Sequence, residues 1–325
     1  MSLSYTAFRR YQEVSPKILM QKPMLKVCYA LMPLVIASVY LFGWRALALT
    51  GIVSACGIIT EALFSFPRGK PVTSAVFVTS LIFSLSLPPT IPFGMAVVGI
   101  AAGVSLGKMM FGGFGQNVFN PAMVGRCFIY ITFPLYMTNR WVEPFWGGLG
   151  GLAHWSPSID AFTSATPLVK NYQGIELSWP DLLIGRTAGS MGETSALLIL
   201  MGGLYIILKK AASWRLALSC LLGGGICSVI LRIAGFSQIP TLFSTLAAGS
   251  FLFGAFFVAT EPVSGAKTKM GQWIYGIFTG ALIITLRGFS NFSEGVMFAV
   301  LLMNAFVPLL DQTVRQIQSS RRAKA

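Results

Sequence analysis

The residues with the clearest chemical potential lie in one hydrophilic interval of a very apolar chain. The run 159–168 reads Ile-Asp-Ala-Phe-Thr-Ser-Ala-Thr-Pro-Leu and has hydroxyl side chains at positions 163, 164 and 166. A long loop in a compact chain often carries function. Hydroxyl residues also bond their own backbone in turns, so a Ser/Thr turn closed by Pro167 is the alternative interpretation.

A second candidate is a glycine- and amide-rich stretch at 107–122, which reads Gly-Lys-Met-Met-Phe-Gly-Gly-Phe-Gly-Gln-Asn-Val-Phe-Asn-Pro-Ala. Irregular backbone cannot face lipid, because its amides would have no partner there. Gly113 and its neighbours allow the backbone to approach a flat ring, and Gln116, Asn117 and Asn120 present hydrogen bonds to the edge of such a ring. The alternative is a tight connection between helices, in which Asn-Pro starts the second helix.

Two shorter stretches also contain polar residues at the ends of apolar runs. They read Gly-Ser-Met-Gly-Glu-Thr-Ser at 189–195 and Thr-Glu-Pro-Val-Ser at 260–264. Glu193 stands near a predicted helix start, where a carboxylate can cap free backbone N–H groups. The stretch at 260–264 either ends a helix in a turn or shapes a ligand pocket.

Composition places the chain in a membrane. Of its 325 residues, 54% are hydrophobic and 10% are charged, with a mean hydropathy of +0.71. Soluble domains carry about 25% charged residues, so this composition indicates a polytopic membrane protein. The net charge of +14 is explained by membrane orientation rather than nucleic-acid binding, since the basic residues lie mostly between apolar runs. The cysteines form no Cys-x-x-Cys and His154 is the only histidine, so a metal cluster or haem held by this chain is not expected.

The apolar runs predict an all-α integral membrane protein with about ten transmembrane helices, five on each side of the hydrophilic interval. The runs are 25–43, 46–66, 72–87, 91–107, 122–138, 195–208, 214–231, 240–258, 273–286 and 295–310. An odd number of spans in each half makes the expected internal repeat an inverted one. The predicted units are a tail at 1–24, five-helix halves at 25–138 and 195–310, a loop at 139–194 and a tail at 311–325.

Charge distribution predicts the orientation of these spans. If the N-terminus is cytoplasmic, 18 of the 24 Lys and Arg residues lie on the cytoplasmic side and the other 6 lie outside. This bias places both termini in the cytoplasm and the loop with Thr166 outside it. The acidic residues near spans lie at span ends, so a proton relay on this chain alone is not expected. The chain also has no Walker loop and no dinucleotide fingerprint, so a complete active site is not expected on it.

The hydrophilic run resembles a motif of the family that contains the D subunit of the Rnf complex and the B subunit of the sodium-translocating NADH:quinone oxidoreductase, Nqr. The family's flavin-attachment motif reads Asp-x-x-Ser/Thr-Gly-Ala-Thr. Asp160, Thr163, Ala165 and Thr166 match it, and Ser164 replaces the glycine. The resemblance implies that a flavin transferase joins FMN to Thr166 as a phosphoester. The Pro-Leu pair after the threonine is more similar to the Rnf protein than to the Nqr protein.

The glycine-rich stretch resembles the same family's Gly-Gly-x-Gly-x-Asn-x-Phe-Asn-Pro-Ala signature. That resemblance implies a second flavin, a riboflavin held without a covalent bond near Gly113, Asn117 and Asn120. The stretches at 189–195 and 260–264 also have family counterparts in the same order along the chain.

The resemblance implies a flavin-bearing membrane subunit of an Rnf-type, ion-translocating electron-transport complex that links ferredoxin and NAD. Its location would be a bacterial or archaeal cytoplasmic membrane. Its expected partners are the other subunits and, during maturation, the flavin transferase. The alternatives are the B subunit of Nqr, an inverted-repeat secondary transporter with a midplane substrate site, and a flavin-free structural subunit. The transported ion and the direction of electron flow stay open.

Overall fold

The structure is a computed structural model that describes residues 18–138, 140–157, 179–236, 239, 241–248, 250–290 and 295–324. The flavin-attachment motif, Asp160, Thr163, Ala165 and Thr166, lies outside these residues. Within them, regular structure is helical, apart from one isolated bridge between Leu19 and Thr73. The prediction of an all-helical protein is therefore confirmed for the described part of the chain.

Apart from α7 (Trp179–Ile184), which lies in the predicted loop 139–194, the helices follow the predicted apolar runs in order. They are α1 Lys22–Phe42, α2 Trp44–Ser65, α3 Ala75–Leu85, α4 Phe93–Val104, α5 Pro121–Thr132, α6 Pro134–Thr138, α7 Trp179–Ile184, α8 Ala196–Leu208, α9 Trp214–Ile233, α10 Leu242–Ala247, α11 Phe251–Phe253, α12 Lys269–Phe289 and α13 Val296–Lys324. Two of them, α4 and α11, continue into wider π-helical turns at Ser105–Met109 and Gly254–Val258.

Four helical segments of the described chain are long and apolar enough to cross a membrane. They are Lys22–Phe42, Trp44–Arg68, Trp214–Ile233 and Val296–Ser320. Shorter apolar helices lie at Ala75–Leu85, Phe93–Met109 and Ala196–Leu208. Large apolar side chains also point outward: Ile233 is 81% exposed and Leu63 is 69% exposed. Such a surface suits lipid, so the chain has the features of a multi-pass membrane protein.

Three of the predicted runs do not form continuous helices through their length. The run 122–138 divides at Phe133 between α5 and α6. The run 72–87 contains only α3, whose 11 residues extend about 16 Å at 1.5 Å per residue. It ends just before the Pro-Pro pair at 88–89, which cannot continue a helix. The run 240–258 is interrupted after α10, where Ala248 has extended backbone.

Buried arginines bind carbonyl groups at the C-terminal ends of α3 and α10. Arg126 on α5 donates to Ser86 O, just after α3. Arg287 on α12 donates to Thr245 O at 3.2 Å and to Ala248 O at 3.1 Å. Carbonyl groups at a helix end need a partner inside an apolar environment, and the cationic side chains provide it.

Glycines allow close contact between neighbouring helices. A Cβ atom at Gly280 on α12 would lie 2.1 Å from Cys220 O on α9, and one at Gly103 on α4 would lie 2.5 Å from Pro121 O. Small residues at helix interfaces are common in membrane proteins, because they let the backbones approach each other. The α4–α5 contact places Pro121, near the end of the glycine-rich stretch, against α4, the helix that precedes the stretch.

Candidate functional site

The glycine-rich stretch leaves α4 through the π-helical turn Ser105–Met109, a feature often found at functional sites. The backbone then passes through Gly112, Gly113 and Gly115 with φ angles of 110°, 103° and 87°. Glycine adopts these angles without strain, whereas other residues rarely do. The path of the chain therefore requires these glycines, and the stretch is irregular, as the sequence predicts.

Asn120 caps the helix that follows. Its Oδ1 accepts hydrogen bonds from the N–H groups of Ala122 at 3.0 Å and Met123 at 3.2 Å. Pro121 occupies the first turn of α5, which confirms the predicted Asn-Pro helix start. The Asn120 Nδ2 donates to Val258 O at 3.5 Å, so this side chain also joins the two halves of the chain.

Asn117 connects the glycine-rich stretch to the Thr-Glu-Pro-Val-Ser stretch at 260–264. Its Nδ2 donates to Phe119 O at 3.2 Å, and Asn117 lines one groove together with Val263 and Ser264. Ser264 Oγ donates to Glu261 Oε2 at 2.5 Å. The structure therefore brings together two of the stretches that the sequence singled out, although 138 residues separate Asn120 from its partner Val258.

We call the place where the glycine-rich stretch meets the stretch at 260–264 the junction. Asn304 on α13 also holds it together, and this residue was not identified from the sequence. Its Nδ2 lies 3.4 Å from both Val118 O and Ser264 O. Its Oδ1 accepts from the Tyr275 hydroxyl at 3.1 Å, and the Asn304 side chain is fully buried. A lone amide inside the apolar run 295–310 was the available signal, because polar groups within such runs usually have a specific partner.

Glu261 is the titratable group at the centre of this junction. Burial raises the pKa of its carboxyl from 4.5 to about 7. The Ser264 hydrogen bond, the charge of Lys108 and the nearby Asn117 amide act in the opposite direction and lower it. The site therefore holds a carboxyl group that changes its charge near neutral pH.

A buried ion pair also involves the glycine-rich stretch, through Lys108. It was not predicted from the sequence. Lys108 Nζ lies 2.6 Å from Glu61 Oε2, with both side chains 2% exposed. The Thr73 hydroxyl lies between them and bonds to both groups. Glu61 lies in α2, four residues before that helix ends at Ser65.

Two openings border the junction. The first is a groove of about 440 Å³ on the α13 side, lined by Gly115, Gln116, Asn117, Val118, Val263, Ser264, Lys267, Asn304, Val307, Pro308, Asp311, Gln312, Arg315 and Gln316. The second is a cavity of about 30 Å³ between α1, α3 and α8, lined by residues that include Asn120, Thr260 and Glu261. Asn117 and Asn120 thus face different openings, and Gly113 borders neither. The groove has the size of a small-molecule site, with amide groups beside apolar walls.

The stretch at 189–195 lies at the end of α3, away from this junction. Gly192 N–H donates to Leu85 O at 2.7 Å, which satisfies one carbonyl of the short helix. The capping interpretation of Glu193 is wrong, because its Oε1 accepts from Ser190 N–H at 2.8 Å. Ser195 is the residue that caps α8, through an acceptor bond from Leu198 N–H.

Comparisons with known proteins were consistent across nearly the whole chain. The sequence model described as the NQR2, RnfD, RnfE family matches residues 13–319. The B subunit of the Na(+)-translocating NADH-quinone reductase of Pseudomonas aeruginosa (strain LESB58) is 38% identical over 274 residues, which cover 81% of this chain. The chain spans only 65% of the length of that relative. The D subunit of the ion-translocating oxidoreductase complex of Actinobacillus succinogenes is 36% identical over 325 residues, which cover 90% of this chain and 91% of the relative.

Proposed function

This chain belongs to the NQR2, RnfD, RnfE family, and we propose that it is the flavin-bearing membrane subunit of an ion-translocating electron-transport complex. The observation that carries the proposal is the match to the Actinobacillus relative over 90% of this chain and 91% of the relative. The Pseudomonas relative is covered over only 65% of its length, so the Rnf type is favoured. The partners are then the other subunits of a complex that links ferredoxin and NAD.

The proposed architecture has ten spans in two inverted halves. The interrupted helices support it, since α3 is the third span of the first half and α10–α11 is the third span of the second. Each carbonyl end is bound by an arginine from a neighbouring helix, Arg126 in one half and Arg287 in the other. Interrupted helices at corresponding positions are typical of inverted repeats in membrane transport proteins. With cytoplasmic termini, the glycine-rich stretch then faces the cytoplasm and the Thr166 loop faces the other side.

Thr166 is the proposed site of covalent FMN. Support comes from the sequence motif formed by Asp160, Thr163, Ala165 and Thr166 and from membership of the family. A bound flavin supplies one- and two-electron redox chemistry, while the protein fixes its position and environment. A secondary transporter or a purely structural subunit would not need such a group.

Reduction of the intact complex tests the proposed relay. The chain is purified with its partner subunits from a host that also expresses a flavin transferase, and a low-potential electron donor is added. The flavin that stays with the denatured chain is expected to be reduced in the intact complex. Thr166→Val is expected to remove that share of the signal, whereas Thr163→Ser, which the motif tolerates, should keep it. A covalent flavin that never becomes reduced would contradict an electron-relay role.

A second, dissociable riboflavin is proposed in the groove beside Asn117. An isoalloxazine ring has apolar faces and a polar edge, so its site needs apolar walls and a few hydrogen-bonding groups. The groove offers the amides of Gln116 and Asn117 and apolar contacts from Val263 and Val307. The cavity that Asn120 borders is much smaller, at about 30 Å³.

Two asparagine variants decide between the openings. Asn117→Leu removes one hydrogen-bonding group, worth about 1 kcal/mol, and should weaken riboflavin binding roughly fivefold. Asn120→Asp keeps the acceptor that caps α5 and is expected to leave the riboflavin content unchanged. Both variants should keep the covalent flavin. If Asn120→Asp loses riboflavin and Asn117→Leu does not, the groove beside Asn117 is not the riboflavin site.

A further inference from the structure

The buried ion pair joins Lys108 of the glycine-rich stretch to Glu61 of α2, and both side chains make further hydrogen bonds. Lys108 Nζ donates to Glu61 Oε2 at 2.6 Å and to Thr73 Oγ1 at 2.8 Å. The Thr73 hydroxyl donates to Glu61 Oε1 at 2.7 Å, and the Thr73 N–H donates to the same oxygen at 3.0 Å. The ammonium therefore has two partners and the carboxylate three donor groups. Both charged groups therefore have hydrogen-bond partners, although both side chains are shielded from water.

Stability alone does not account for such a pair. Taking two charges out of water costs free energy, and well-packed apolar residues of similar volume often replace a buried ion pair without loss. Its position suggests another role. Lys108 lies in the π-helical turn, and its carbonyl accepts a hydrogen bond from Gly113 N–H at 3.1 Å. Its ammonium lies 5.9 Å from the centre of the Phe114 ring, so Lys108 contacts the stretch through both backbone and side chain.

The connection between α2 and α3, residues 66–74, holds two further carbonyls of the same segment. Arg68 donates to Met109 O at 3.1 Å, and Lys70 donates to Gly112 O at 3.3 Å. Both of these side chains are exposed, and exposed polar contacts contribute little because water competes for them. The buried contacts of Lys108 with Glu61 on α2 and with Thr73 in the connection are therefore the stronger attachment of the glycine-rich stretch to this part of the fold.

We propose that Lys108, clamped by Glu61 and Thr73, is a positioning residue that holds the Gly112–Asn117 backbone in the shape that binds riboflavin. The inference rests on the proposed riboflavin site in the groove. A π-helical turn is rare and needs contacts that impose it. Without the charged clamp, the turn can relax toward a regular helix, and the backbone of Gly115 and the amide of Asn117 then leave their places on the groove wall.

The test separates positioning from stability with a double variant. Lys108→Met alone leaves Glu61 buried and unpaired, so it should reduce assembly of the complex. Lys108→Met combined with Glu61→Gln removes both charges, keeps an acceptor for the Thr73 N–H and hydroxyl, and should restore assembly and thermal stability. Riboflavin is removed from the purified complex and titrated back. The double variant should bind it roughly tenfold more weakly, which equals about 1.4 kcal/mol. Lys269→Met, at an exposed lysine at the start of α12, should keep wild-type affinity.

Each result decides a different point. A double variant with wild-type stability and wild-type riboflavin affinity would overturn the positioning role, because the pair would then be structural only. If the double variant does not assemble, Thr73→Val provides the test. It keeps the ion pair but removes both hydrogen bonds of the Thr73 hydroxyl, one to Glu61 and one from Lys108. Unchanged riboflavin affinity in Thr73→Val would overturn the inference. A wild-type complex that holds no riboflavin would refute the flavin site itself, and with it this inference, whereas covalent flavin on Thr166 would be unaffected.

Discussion

Replacing Asn304 with leucine should be one of the most damaging single changes where the glycine-rich stretch meets the stretch at 260–264. The side chain is fully buried and serves three partners: Val118 O at 3.4 Å, Ser264 O at 3.4 Å and the Tyr275 hydroxyl at 3.1 Å. Leucine has a similar volume, so packing is kept while three buried polar groups lose a partner. At about 1 kcal/mol for each lost hydrogen bond, the free energy of unfolding should fall by about 3 kcal/mol.

Denaturant titration of the detergent-purified chain measures this loss against two matched variants. Tyr275→Phe removes only one of the three contacts and should cost about 1 kcal/mol. Thr313→Val lies on the same helix at an exposed position and should cost little. The reasoning fails if Asn304→Leu costs no more than Tyr275→Phe, because the two backbone carbonyls would then contribute nothing to the junction.

Three further predictions concern the packing, the charge of the junction and the proposed orientation. Gly280→Ala should destabilise the chain by about 1–3 kcal/mol in the same titration, because its Cβ would lie 2.1 Å from a backbone carbonyl of α9, whereas Gly94→Ala has no atom within 4 Å and should be neutral. The raised pKa of Glu261 stabilises the fold below pH 4.5, and this contribution is lost as the pH rises through about 7. Glu261→Gln should therefore reduce the fall in the free energy of unfolding between pH 4.5 and about 7. An unchanged pH profile in this variant would exclude Glu261 as the source of that fall. In a cysteine-free background on whole cells, Ser158→Cys should react with an impermeant thiol reagent and Lys70→Cys should not, and the opposite pattern would invert the topology.

The fold could be predicted where a local pattern decides it. Hydropathy located the helices, the Asn-Pro pair located the start of α5, and the clustered glycines marked irregular backbone. These features depend on neighbouring residues in the chain, which is the information that a single sequence contains. The interruption between α10 and α11 could not be predicted, because the carbonyl groups there are bound by a distant residue. Arg287 lies 42 residues after Thr245 and 39 residues after Ala248.

The candidate site was predicted in part. Asn117 and the stretch at 260–264 were selected for their residue types, and the structure brings them together. Lys108 and Glu61 were treated as charges near span ends, since nothing local shows that residues 47 positions apart form a buried pair. Asn120 was selected as a ligand residue, but its Oδ1 is engaged in capping α5. Covalent attachment at Thr166 stays a prediction, because that residue lies outside the described part of the chain.

The most direct test of the central claim is to locate a covalent flavin on the chain. The protein is produced with a flavin transferase, digested, and analysed by peptide mass spectrometry, with in-gel flavin fluorescence of the denatured band in parallel. The expected result is a fluorescent band and an FMN phosphoester on the peptide containing Thr166, both lost in Thr166→Val. An unmodified Thr166 peptide from a fully assembled, active complex would contradict the account.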